Sequence, residues 1–445
     1  MASNNMDIEM TSHSPTAGIE SHHPTSVESL ETTHDLQSFS LPPTDGGKDA
    51  WLCLLACFML EALIWGFPAC YGIFQEYYST HDFAGQPNLA VVGACAMGIM
   101  YINLVAMFAL LKYYPRLRAW ATPVGLVIVC LALGLGSFST SVPHLILTQG
   151  VIYSIGGSFA WTPILFYLEE WWIRHRGFAY GATIAGFGLS GAILPLILQW
   201  LLDSYGFRTT LRVCALVFVA LNFPILFFFK PRIPLSQASH ARGFDMSFWK
   251  CSNFAILQSA NVLQSLGYFL PALYLPTFAR SLGASHIQST VTIILLNGAT
   301  FVGNLCMGTA VDKYEVTTCI LVAAMGSTSG VFLLWGLSTS LPLLYIFCLV
   351  YGAFAGCFSS SWSAIMRDTK MKKRGADSGM MFACLSAGKG LGNVCSGPLS
   401  EALLQVGSWK AGMAYGSGYG AVIVFTGVTA LLGGWGFGAK RLGWL

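Results

Sequence analysis

RGFAYGATIAGFGLSGAILPLILQW, residues 176–200, opens on one arginine and then carries no charged side chain until Asp203. As a helix, such a run is long enough to cross the hydrocarbon core of a bilayer, ~30 Å thick. Gly181, Gly186, Gly188 and Gly191 fall within it, and small residues of this kind let a second helix approach closely in lipid. The opening pattern then returns. Arg176-Gly177 with Gly181 is matched 198 residues later by Arg374-Gly375 with Gly379. One stretch therefore defines the type of element and shows that the chain is built twice.

The remaining sequence follows the same plan. Of its 445 residues 54% are hydrophobic and 10% charged, where a soluble domain carries about 25% charged residues. Twelve apolar segments are expected near 50–74, 88–111, 119–140, 144–168, 177–201, 208–229, 248–275, 287–311, 317–337, 342–366, 377–403 and 413–437. Cations collect in alternate gaps between them. Arg208, Arg212, Arg280 and Lys410 fall on one side, Lys389 within a segment, and the other 18 of the 23 Lys and Arg on the side of the N-terminus. Cytoplasmic loops hold the cations of polytopic proteins, so both termini are expected in the cytoplasm of a multi-pass protein of the cell membrane. The duplication extends to Tyr153 with Tyr351, and to Pro68-Ala69-Cys70-Tyr71 with Pro271-Ala272-Leu273-Tyr274. The expected fold is an all-α membrane protein, twelve transmembrane helices in two pseudo-symmetric six-helix bundles. Residues 1–47 are polar and read as a disordered cytoplasmic tail. Residues 48–230 form the first bundle, 231–246 a cytoplasmic linker, and 247–445 the second bundle.

Composition excludes several functions. No dense basic patch with interleaved aromatics exists, so nucleic acid is not a partner. All nine histidines lie in the tail or in loops, which leaves no imidazole in a segment to act as base or metal ligand. No phosphate-binding Gly-x-x-x-x-Gly-Lys-Ser/Thr loop is present, and the thirteen cysteines form no Cys-x-x-Cys pair. No metal or cofactor is expected, and the chain does not read as an enzyme. Its expected partners are the lipid bilayer, a small-molecule substrate (an anion among the readings) and protons, with the protein itself monomeric.

Gly308-Thr309-Ala310-Val311-Asp312-Lys313, after the eighth segment, resembles the cytoplasmic Gly-x-x-x-Asp-Arg/Lys loop of the major facilitator superfamily. Further strings resemble fungal monocarboxylate-transporter-like (monocarboxylate porter) proteins. They are Asp45-Gly46-Gly47, Leu147-Thr148-Gln149-Gly150 with Gly156-Gly157, Glu170-Trp171-Trp172, and Gly388-Lys389-Gly390-Leu391-Gly392-Asn393. The likeness covers roughly residues 42–440. It departs where the animal members carry a lysine in the first span, here Ala69, and an Asp and Arg in the eighth, here Thr300 and Asn304. The resemblance implies transport, with spans one, four, seven and ten lining the path, and it implies interbundle ion pairs from Arg176, Asp312, Lys313 and Arg374.

Two charges stand inside apolar segments. Glu61 and Lys389 each lie near the middle of one, where an unpaired charge costs about 2.5–3.5 kcal/mol and marks a cavity or a partner. Glu61 is a candidate proton carrier and Lys389 a candidate anion contact, and a direct pair between them is a further reading. Trp65 shares a stripe with Glu61 and Pro68; Gln149, Tyr153 and Trp161 recur at helical spacing. Tyr71, Tyr268, Tyr274, Tyr351, Trp362 and Asn297 complete the candidate pathway, and Pro68 and Pro271 are candidate kinks or gates. The expected function is secondary active transport of a small organic acid or amphipathic metabolite by alternating access, as efflux of a fungal secondary metabolite. The alternatives are a proton-coupled uptake carrier for a monocarboxylate or vitamin-like nutrient, and a non-transporting membrane sensor.

Overall fold

A computed structural model describes residues 41–86, 88–233 and 245–444. Regular structure among these residues is entirely helical. In chain order the helices are α1 Lys48–Ala69, α2 Tyr71–Thr80, α3 Leu89–Tyr113 and α4 Arg118–Gly136. Then come α5 Val142–Trp171, α6 Arg176–Leu226, α7 Ser252–Tyr268, α8 Leu270–Ser281 and α9 His286–Lys313. The last are α10 Val316–Trp335, α11 Leu341–Lys372, α12 Ser378–Gln405 and α13 Gly420–Arg441.

Nine helical runs among the described residues are long and apolar enough to cross a membrane, so the protein is a multi-spanning membrane protein. Helices α7 and α12 are not among the nine, and buried amide side chains of α7 bind the two together. Gln258 Nε2 donates to Cys384 O (2.9 Å) and Asn261 Nδ2 to Leu385 O (2.8 Å), as backbone and amide groups must be satisfied within the protein in lipid.

Helix α6 is the run quoted above, continued through a kink. Its 51 residues would span about 76 Å if straight, more than twice a bilayer core. Gly206 breaks it with φ 73° and ψ 168°, a conformation other residues adopt only with strain. The glycine face behaves as its composition predicts. A Cβ on Gly181 would lie 2.6 Å from Asn304 O of α9, and one on Gly186 would lie 2.5 Å from Phe58 O of α1. Glycine is thus required where α6 packs along α1 on one side and α9 on the other. Helix α3 makes the corresponding contact with α12.

Several expectations need correction. The last segment begins at Gly420 rather than near residue 413. Gly412, Gly416 and Gly418, with Met413 at φ 59°, keep the preceding residues out of a continuous helix. The first span breaks at Cys70 (φ −95°, ψ 6°) between α1 and α2. The expected loose tail over 1–47 ends sooner. Residues 1–40 lie outside the described residues, but Asp45 is fixed. Its Oδ1 accepts amides of Ile173 (3.0 Å) and His175 (2.8 Å) while both carboxylate oxygens accept that of Arg174 (2.9 Å). Partial burial pushes the Asp45 carboxyl up, and the amides outweigh it, leaving it below the ordinary aspartate value. Of the expected linker, 234–244 lie outside the described residues. Its start is held where Arg232 N and Ile233 N donate to Glu170 Oε2 (2.9 and 3.2 Å).

Candidate functional site

Glu61 of α1 and Lys389 of α12 line one narrow cavity of about 30 Å³. Both are nearly buried, at 5% and 6% exposure. They do not form an ion pair. Trp161 Nε1 of α5 donates to Glu61 Oε2 at 2.5 Å, and Lys389 Nζ donates to Ser359 Oγ of α11 at 2.6 Å. Each charge is held by a neutral partner, and the two are left to share the cavity. The remaining wall is largely aromatic: Trp65, Tyr101, Phe187, Tyr268, Trp362 and Phe382, with Asn304 and Ser386 among the polar members.

The rings form a connected frame. Trp65 meets Trp161 edge-on at 6.3 Å and lies 4.3 Å from Tyr101. Phe382 stacks on Trp161 at 5.7 Å and meets Trp362 edge-on at 5.1 Å. The Lys389 ammonium stands 4.5 Å from the Tyr268 ring centroid, 5.8 Å from Trp362 and 6.0 Å from Tyr101. Cation–π attraction keeps a desolvated ammonium tolerable at such distances. Chemically the cavity presents flat apolar surfaces, one carboxyl and one ammonium.

Six of the twelve pathway candidates line this cavity: Glu61, Trp65, Trp161, Tyr268, Trp362 and Lys389. The other six are placed elsewhere. Tyr71 donates to Leu89 O, Tyr153 to Ile64 O and Tyr351 to Tyr268 O, so these hydroxyls tie helices together. Gln149 donates to Tyr78 Oη, Tyr274 to Ser400 Oγ and Asn297 to Gly191 O. Tyr101, Ser359, Phe382 and Ser386 were not marked by the sequence. All sit among ordinary apolar or small residues, and only Ser386 carries a signal in hindsight, three residues before Lys389 on one helical face.

The candidate gating residues are arranged differently from the expected ion pairs. Asp312 accepts the backbone amides of Gly177 and Phe178, both at 2.8 Å. It therefore caps the N-terminus of α6, where the helix dipole favours an anion, instead of meeting an arginine. Arg176 instead lies 3.8 Å from Glu169. Arg374 and Lys313 are both exposed, and neither has an ion-pair partner among the described residues. The charged link between the two parts of the chain on this face is one the sequence did not mark, Lys112 at the end of α3 with Asp377 at the start of α12. Pro68 stands in the last turn of α1 just before the Cys70 break, and Pro271 near the start of α8 just after the Phe269 break. A wider cleft of about 550 Å³ lies beside Asp312, lined by Trp51, Trp172, Arg174 and Lys313. Its carboxylates, Asp45 and Asp312, are both occupied by backbone amides. The candidate site is therefore the central cavity.

An all-helical, multi-spanning protein that encloses charged groups at mid-span has the build of a membrane transport protein. Residues 50–258 and again 257–440 match the model of the Major Facilitator Superfamily, and the chain belongs to that superfamily. It is similar to the MFS-type transporter opdF of Penicillium oxalicum, with 27% identity over 91% of this chain and 94% of that protein. It is 25% identical to the aspyridones efflux protein apdF of Emericella nidulans, over 91% of this chain and 80% of that one. Its fold is similar to that of the proton:xylose symporter XylE bound to 6-bromo-6-deoxy-D-glucose, at a TM-score of 0.61 and 15% identity, covering 86% of this chain and 94% of XylE. The protein carries out secondary active transport of a small organic solute across a membrane.

Proposed function

We propose that this protein is an exporter of a small organic acid or amphipathic metabolite, working by alternating access between two six-helix halves, 48–230 and 247–445. In this reading the chain crosses the membrane twelve times, both ends are cytoplasmic, and residues 231–246 join the halves. The single observation that carries the cargo class is that buried Lys389 and Glu61, not ion-paired with each other, share one aromatic cavity. A small hydrophilic solute needs no such wall, whereas a flat apolar body with an acidic group uses all of it. Export is supported by the likeness to an efflux protein of a fungus. The narrower monocarboxylate-porter kinship is supported by Asp45-Gly46-Gly47 and by Gly388-Lys389-Gly390.

Glu61 serves as the proton site and Lys389 as the contact for the acidic group. Asp312, with Gly177 and Phe178, and the Lys112–Asp377 link hold the cytoplasmic side together. Breaks beside Pro68 and Pro271 supply bending points in the two halves. The test is metabolite profiling of cells with and without the protein. An exported acid should accumulate inside cells that lack it and fall in their medium. Equal partition of all detected acids in both strains would overturn the reading.

A further inference from the structure

Three polar groups on the cavity wall have nothing to bind. Trp65 Nε1, Trp362 Nε1 and Ser386 Oγ are buried and without a hydrogen-bond partner among the described residues, and all three residues line the same space as Lys389. Buried donors in folded proteins are nearly always paired, so three together on one cavity need a reason. Ser386 is one of a few buried α-helical serine or threonine hydroxyls left unpaired, with Thr328, Thr369 and Thr426, and of these it alone lines the cavity. Serine and threonine within these helices commonly bond the carbonyl four residues back, as Thr183 does to Ala179, Ser154 to Gly150 and Ser265 to Asn261. Ser386 does not, which leaves its hydroxyl for the cavity.

The inventory is lopsided. An indole N–H can only donate, and Lys389 can only donate. On the acceptor side, Asn304 Oδ1 is taken by Ser360 Oγ at 2.6 Å, and one oxygen of Glu61 is taken by Trp161. Groups that can only donate, the two free indoles and Lys389, outnumber the carboxyl and amide oxygens left free on this wall.

We propose that Trp65, Trp362 and Ser386 are specificity-determining donors, and that the cargo is a planar molecule with several acceptor oxygens, such as an aromatic keto acid or enolate, rather than one bearing donors or a cation. This inference rests on the transport reading for the same cavity and sharpens its substrate class. The acidic oxygen meets Lys389, carbonyl oxygens meet the indole N–H groups and Ser386, and the flat body lies within the aromatic frame. Leaving those donors unpaired is what rejects a cargo of equal size that lacks the oxygens.

The test uses the full chain in lipid nanodiscs and three probes of one shape: 2-naphthoate, 2-acetonaphthone and 2-naphthylmethylammonium. Binding is read from indole quenching, with empty nanodiscs subtracted. The naphthoate and the neutral ketone should bind at least tenfold more tightly than the ammonium. Ser386→Ala and Trp362→Phe should each weaken both oxygen-bearing probes about threefold to tenfold, while Lys389→Ala should weaken the naphthoate alone. Should Trp362→Phe fail to fold, Ser386→Ala decides the matter. Equal binding of ketone and ammonium, or ketone binding unmoved by the donor substitutions, would overturn the proposal. Failure of the transport reading looks different: the binding pattern would hold, yet naphthoate would cross reconstituted vesicles no faster than empty ones.

Discussion

Replacing Gly308 by alanine should prise apart the contact between α6 and α9. The added Cβ would lie 2.6 Å from Gly177 O and 2.8 Å from Gly181 Cα. Both are backbone atoms, so no rotamer change relieves the clash; the helices must separate. Overpacking of this kind costs about 1–3 kcal/mol. Applied to only one of two arrangements, that is a shift of roughly 5- to 150-fold toward the one in which the helices have parted. The amides of Gly177 and Phe178, each 2.8 Å from the Asp312 carboxylate, report the separation. Hydrogen exchange on the full chain in nanodiscs should show these two amides exchanging at least about fivefold faster in Gly308→Ala. Amides at the centre of α4, which this contact does not touch, should be unchanged. A folded variant with unaltered exchange at Gly177 and Phe178 would refute the idea that α6 and α9 meet at a moving interface.

Other outcomes follow from the same geometry. Glu61→Gln keeps an oxygen for Trp161 but removes the titrating proton, so transport in vesicles should lose its pH dependence; parallel pH profiles for variant and parent would remove Glu61 from the proton route. Lys389→Ala should weaken handling of anionic cargo while sparing neutral cargo, and unchanged rates for every anion tested would make Lys389 structural. Asp45→Asn should free the segment ahead of α1 from the α5–α6 loop and destabilise the protein at neutral pH. The Asp45 carboxyl lies below its ordinary value, so its contribution is complete above about pH 4 and is lost as pH falls through the native value. The thermal midpoints of Asp45→Asn and parent should therefore differ at pH 7 and converge in strong acid. A constant gap at both would remove the carboxylate from that role.

The element type and the charged centre of the site were legible in the sequence for a plain physical reason. Lipid excludes charge, so Glu61 and Lys389 stand out against an uncharged background, and Lys and Arg mark the loop ends. Aromatic residues carry no such contrast. Trp161 and Tyr153 lie on one helical stripe, yet Trp161 meets the cavity and Tyr153 is spent on Ile64 O. Spacing gives the face of a helix, and only packing says what that face meets. Asp45 and Asp377 were illegible as anchors because their partners are distant in the chain: loop amides near Arg174 for one and Lys112 for the other. The start of α13 was misread because Met413 and its glycine neighbours are apolar enough to extend a span but do not adopt its dihedrals.

Access to the cavity from the two sides of the membrane is the direct test of alternating access. With the native cysteines replaced, Ser386→Cys places one thiol on the cavity wall. A membrane-impermeant thiol reagent should modify it from either side of sealed vesicles. Adding Gly308→Ala should speed labelling from the cytoplasmic side and slow it from the other. Labelling from one side only, or two rates that rise and fall independently, would contradict the account.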